Sequence, residues 1–135
     1  MKEQFCNYEI ANILKEKGFN EPCFGYYQNN ELIINALSNY ILDKYKLGIA
    51  APLWQQVIDW FREKHNLRIF ESTPIAGLSS KSFNEDFRFE LVKISGNGGH
   101  ANSVFGNGGL GSRYQTYSSY NEARQAAIEH ALTLI

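Results

Sequence analysis

Apolar residues recur at helical spacing in several stretches of the chain. Over 8–17, Ile10, Ala11, Ile13 and Leu14 make one face. Asn7 stands where an N-cap side chain accepts from the first turn, and Gly18 stands where a left-handed residue ends a helix. Phe19 is then placed to fold back on the last turn. The clearest helix is 52–65, PLWQQVIDWFREKH, in which Leu53, Trp54, Val57, Ile58 and Phe61 form the expected buried stripe. Pro52 suits the first helical position, and Arg62, Lys64 and His65 suit the negative end of the helix dipole. A last helix over about 120–134 is signalled by Ser119 and Glu122 at capping-box spacing. Its small face is Ala123, Ala126, Ala127 and Ala131, which allows close approach to a sheet.

Alternation marks the strands. CFGYY, a Gln28-Asn29-Asn30 turn and ELII read as a hairpin over 23–34. Residues 31–45 also fit a helix with Leu37, Tyr40, Ile41 and Tyr45 on one side, so the pattern leaves strand and helix both open there. Leu67, Ile69 and Glu71 alternate with Arg68 and Phe70. Over 86–94, Phe87, Phe89 and Leu91 share a face before the phase shifts to Val92 and Ile94, which predicts a bulge. Residues 72–85, Ser-rich with Pro74 and Gly77, read as a long loop. The expected fold is α+β: a small, mostly antiparallel sheet with three or four helices packed on one face.

Composition adds bounds. The 135 residues suit a single domain spanning 1–135, with 44% apolar, 20% charged and 14% aromatic residues. A net charge of −1, with no basic run, argues against general nucleic-acid binding and leaves room only for a local basic patch. Cys6 and Cys23 read as buried reduced thiols rather than a disulfide framework. No apolar run approaches a membrane span, and the polar N-terminus does not resemble a signal peptide, so a cytoplasmic protein is expected.

Candidate chemistry concentrates in one place. Residues 96–111, GNGGHANSVFGNGGLG, hold seven of the eleven glycines, and GNGG occurs twice, ten residues apart. Glycines leave backbone N–H groups uncovered, and consecutive N–H groups form anion-binding concavities. The candidate ligand-binding set is Asn97, Gly98, Gly99, His100, Asn102, Asn107 and Gly108, with Arg113 as charge partner for phosphate or carboxylate. Tyr114 and Tyr117 are rings able to stack on a base. The bland alternative is a surface loop, or a pair of glycine turns in an extended hairpin. The segment is not a P-loop, since no Lys follows either GNGG. Nor is it a dinucleotide fingerprint, since no helix directly follows 96–101.

Elsewhere the signals are thin. His65, His100 and His130 have no metal spacing, and no GxSxG occurs. Glu85, Asp86 and Glu90 read as a solvated strand face. Tyr26 and Tyr27 are aromatic candidates in the first hairpin, and Tyr120 is a further ring able to stack on a base. Trp54 and Trp60, six apart, point to different sides of their helix, so one is expected in the core and the other partly exposed.

Three blocks carry a resemblance: AxxLKEKGFNEPC at 11–23, APLWQQVIDWFREKHNL at 51–67, and YxxYNEARxAAIExAL at 117–132. Together they resemble a family of short uncharacterised proteins common in phages and prophages of Bacteroidota. The family carries no established activity or site residues. What the resemblance implies is a phage- or mobile-element-encoded protein acting in the cytoplasm of a bacterial host cell, with an anti-defence role. The combined expectation is a non-enzymatic binding protein with no cofactor and no metal. It would sequester an anionic, nucleotide-like small molecule such as an immune signal through the Gly/Asn-rich loop. The alternative is a protein-interaction module or inhibitor of a host protein, with the loop as a partner or homo-oligomer interface.

Overall fold

A computed structural model describes residues 1–71, 89–94, 101–105 and 119–135. The chain folds as two compact units, Met1–Trp60 with Ile135, and Phe61–Leu134.

The first unit begins with a 3-10 turn, Lys2–Gln4, followed by α1, Tyr8–Glu16. Asn7 caps α1 through its side-chain oxygen, which accepts from the Ile10 N–H at 2.9 Å. At the other end Gly18 adopts φ +90°. The Phe19 N–H donates to the Leu14 carbonyl at 2.9 Å and the Gly18 N–H to the Lys15 carbonyl at 3.1 Å, which together make a Schellman motif. Both ends of α1 are thus set by the residues the sequence nominated.

The hairpin also forms, from β1, Tyr26–Gln28, and β2, Glu31–Ile33. Asn29 and Asn30 both lie at positive φ, 50° and 65°, the backbone of a two-residue type I′ turn. The 31–45 ambiguity resolves as both elements in turn: β2 is followed by α2, Asn39–Lys44, capped by the Ser38 hydroxyl accepting from the Ile41 N–H at 3.3 Å. The predicted stripe is displaced, since α2 buries Leu42 and leaves Tyr40 and Tyr45 exposed. A two-residue strand, β3, Ile49–Ala50, pairs antiparallel with β1, giving the sheet order β2-β1-β3. Phe5, Ala11, Tyr27 and Ala51 form a buried cluster here, with Tyr8, Leu32, Ile49 and Leu53 against it.

Helix α3 runs Trp54–His65. Its start lies two residues later than expected. Pro52 precedes the cap position, where its carbonyl accepts from the Cys6 N–H at 2.9 Å. The Gln56 side chain reaches back to accept from the Leu53 N–H at 2.9 Å. The expectation for the tryptophans is corrected, because both are buried, Trp54 at 7% and Trp60 at 5% exposure. Trp54 donates its indole N–H to the Glu3 carbonyl at 3.0 Å, and Trp60 meets Phe19 edge-on at 5.5 Å. Each indole therefore has its own neighbours on its own side of the helix.

The second unit holds a three-stranded antiparallel sheet in the order β4-β5-β6, formed by Leu67–Glu71, Phe89–Ile94 and Ala101–Phe105. Leu67, Ile69, Phe89 and Leu91 are buried, and so is Val92, whose partner across the ladder is Arg68. The predicted irregularity occurs at Leu91/Val92, in the pairing with β6. Leu91 faces Phe105 and Val92 faces Ser103, so the extra residue belongs to β6 rather than β5. Helix α4, Tyr120–Thr133, packs on β5 and β4. Ser119 caps it, accepting from the Glu122 N–H at 3.2 Å. Its buried face is Ala123, Ala127, Ile128, Ala131 and Leu132, joined by Arg124 where the sequence had nominated Ala126.

The α+β expectation is borne out: the described residues form four α-helices and antiparallel strands, the strands being shared between two small sheets. The long-loop reading of 72–85 and the placement of Phe87 lie outside the described residues. No helix among the described residues is long and apolar enough to cross a membrane.

Candidate functional site

Within the glycine-rich segment the described residues are those of β6, Ala101–Phe105. Sequence propensity gives ANSVF little claim to be a strand, yet Ala101–Phe105 forms one by pairing with β5. The last pair before the connection is Ile94↔Ala101, so residues 95–100 join two antiparallel strands. The first GNGG, 96–99, stands before β6 in the chain and the second, 106–109, directly after it. Five residues of extended chain separate their points of attachment by about 13 Å. A strand follows 96–100 where a dinucleotide fingerprint would need a helix.

Of the ten nominated binding residues, Asn102 lies in β6 opposite Lys93. Asn97, Gly98, Gly99, His100, Asn107, Gly108, Arg113, Tyr114 and Tyr117 lie outside the described residues, as do Glu85 and Asp86. Glu90 is half-buried on β5.

The start of α4 adds Arg124, which the sequence did not single out, beside Tyr120, which it did as a ring able to stack on a base. Tyr120 packs against Phe89 with ring centroids 5.4 Å apart. The Arg124 guanidinium lies 5.1 Å from the Tyr120 ring centroid and donates through Nη2 to Asn121 Oδ1 at 2.9 Å. An arginine one position from Ala123 and four from Ile128 sits beside the apolar stripe. That spacing was the available signal for its burial.

In the first unit, Tyr26 is half-buried and Tyr27 belongs to the core, so Tyr27 presents no ring for stacking on a ligand. A cavity of about 30 Å³ lies between α1, α2 and β3, lined by Ala11, Phe19, Leu42 and Ile49 with Lys15 and Asp43 at its edge. That volume holds a water or two, whereas sites for drug-sized ligands run to roughly 300 Å³ and above. Lys15 and Asp43 pair across it at 2.6 Å.

Cys6 and Cys23 are buried thiols, neither in a disulfide. Burial pushes the Cys23 thiol up to about 12, with the Glu21 carboxylate adding to the effect. A thiol so placed carries almost no thiolate at neutral pH. His65, half-buried beside Phe61 at the end of α3, is held below its ordinary range by desolvation. Among the described residues, no group of three or more His, Cys, Asp or Glu is arranged to hold a metal ion.

Compared with family models, with curated proteins and with solved structures, the chain shows no match.

Proposed function

We propose that this is a non-catalytic binding protein of phage type. It acts in a bacterial cytoplasm and captures an anionic, nucleotide-like ligand through the Gly/Asn-rich segment. The observation that supports the reading is the β5–β6 pairing, which places β6, lying between the two GNGG runs in the chain, in a sheet that α4 packs against. A glycine- and asparagine-bearing connection rooted in a sheet supplies uncovered N–H groups from a rigid base. Arg113 supplies the charge, and Tyr114 and Tyr117 supply rings for a base. A thermal-shift screen against mono-, di- and cyclic nucleotides tests it. At least one nucleotide should raise the unfolding temperature of the wild type, with the response lost in Arg113→Ala. No response across the panel contradicts the reading.

A second reading is favoured by a specific feature. Among the described residues, β6 is hydrogen-bonded to a strand on one side only, and an edge strand can accept a strand from a partner. On that reading the same segment is an interface for a host protein or a second copy of the chain. Light scattering after size exclusion, with capture from host lysate, separates the two readings. A strict monomer that captures nothing counts against the second.

A further inference from the structure

Helix α2 and the turn after it carry a cluster that the glycine segment does not explain. Tyr40 and Tyr45 are 70% and 61% exposed, although aromatic rings on a short helix usually serve the core. The Lys44 ammonium lies 5.5 Å from the Tyr40 centroid and 5.3 Å from the Tyr45 centroid, within reach of both ring faces. Asp43 is the only acid between Asn39 and Lys46, and its carboxylate is engaged by Lys15 at 2.6 Å. Within 39–46 the segment therefore offers two ammonium groups, Lys44 and Lys46, and one carboxylate, already engaged by Lys15.

Lys46 adds a backbone observation. The Leu47 N–H donates to the Leu42 carbonyl at 3.0 Å and the Lys46 N–H to the Asp43 carbonyl at 3.3 Å, closing α2 in a Schellman motif. Lys46 occupies the left-handed position of that motif, φ 51°, where glycine or asparagine is the comfortable residue. A lysine held there roots the second ammonium one residue beyond Tyr45.

We infer that Tyr40, Lys44, Tyr45 and Lys46 form a surface that binds a short single-stranded nucleic acid, its bases stacking on the two tyrosines and its phosphates meeting the two lysines. This pairing of exposed rings with cations is how single strands are held without sequence preference. An acidic protein segment would satisfy the lysines but leave both ring faces without a planar partner. The surface is local, so it is compatible with a chain of net charge −1. It does not rest on the glycine-segment reading.

The test is fluorescence anisotropy of a short fluorescein-labelled oligothymidylate with the full chain, titrated at several salt concentrations. Two phosphate contacts give a slope of log K against log salt of about −1.4. Tyr40→Ala with Tyr45→Ala should weaken binding at least tenfold, while Tyr40→Phe with Tyr45→Phe, which keeps both ring faces, should stay within about twofold. Lys44→Gln with Lys46→Gln should bring the salt slope toward zero. Loss of binding in Arg113→Ala, with the tyrosine and lysine pairs binding as the wild type does, would assign the oligonucleotide to the glycine segment and overturn the inference. If the alanine pair does not fold, the phenylalanine and glutamine pairs still decide the matter. No anisotropy change with the wild type overturns the inference. So does wild-type binding by a folded alanine pair, or equal displacement of the oligonucleotide by polyglutamate.

Discussion

The hydroxyl of Tyr27 donates to the backbone carbonyl of Cys6 at 2.6 Å, tying β1 to the segment that leads into α1. The same ring meets Tyr8 edge-on, with centroids 5.7 Å apart. One side chain thus fills the core of the first unit and satisfies a backbone acceptor there. Tyr27→Phe keeps the packing and removes this hydrogen bond, so it should cost about 1 kcal/mol in urea unfolding. A cost near zero would show that the bond contributes nothing.

Gly48 makes a sharper prediction. A Cβ at this position would collide with the Tyr27 carbonyl oxygen, a backbone atom that cannot swing aside. Gly48→Ala should therefore displace β3 from β1 and cost about 3 kcal/mol or more. Gly18 differs in kind, since nothing lies within 4 Å of its Cβ position and only its φ of +90° resists a side chain. Gly18→Ala should cost roughly 1–2 kcal/mol. Equal costs for the two would contradict the steric account.

Much of this was legible in the sequence because the relevant rules are local. Asn7, Gly18, Ser119 and the Asn29-Asn30 pair each act through bonds within a few residues, and each sits where its residue type implies. What was missed depends on distant partners. The extended-hairpin alternative for the glycine segment needed a strand at 101–105, which forms where β5 lies alongside, whereas β3 is too short to leave a pattern. Trp60 is buried because Phe19 reaches it from another element. Of the nominated binding residues only Asn102 falls on the described residues, so the structure adds the pairing of β6 with β5 and nothing finer.

Alkaline pH should weaken the first unit. Burial raises the Cys23 thiol from 9.0 to about 12, and burial, then Cys6 and Glu9, raise the Tyr27 hydroxyl above 10.0. Both folded-state values exceed the unfolded ones, so the unfolded chain releases protons first as pH rises. Their contribution is complete below about pH 9 and is lost progressively toward pH 12. Urea midpoints across that range should fall. Tyr27→Phe should flatten the decline, and the Cys23 thiol should resist an aromatic disulfide reagent until the chain unfolds.

The helix caps offer a modest, additive check. Asn7→Ala and Ser119→Ala each remove an acceptor from a first-turn N–H and should each cost about 1 kcal/mol. The two caps serve different helices and share no partner, so the double variant should show the sum.

Calorimetric titration of the chain with the nucleotide that gives the largest thermal shift tests the central claim most directly. The account predicts saturable binding that weakens at least tenfold in Arg113→Ala, the loss expected for a charge-assisted hydrogen bond, and that persists in Tyr40→Ala with Tyr45→Ala. Absence of binding heat, or an affinity in Arg113→Ala equal to the wild type, would contradict it.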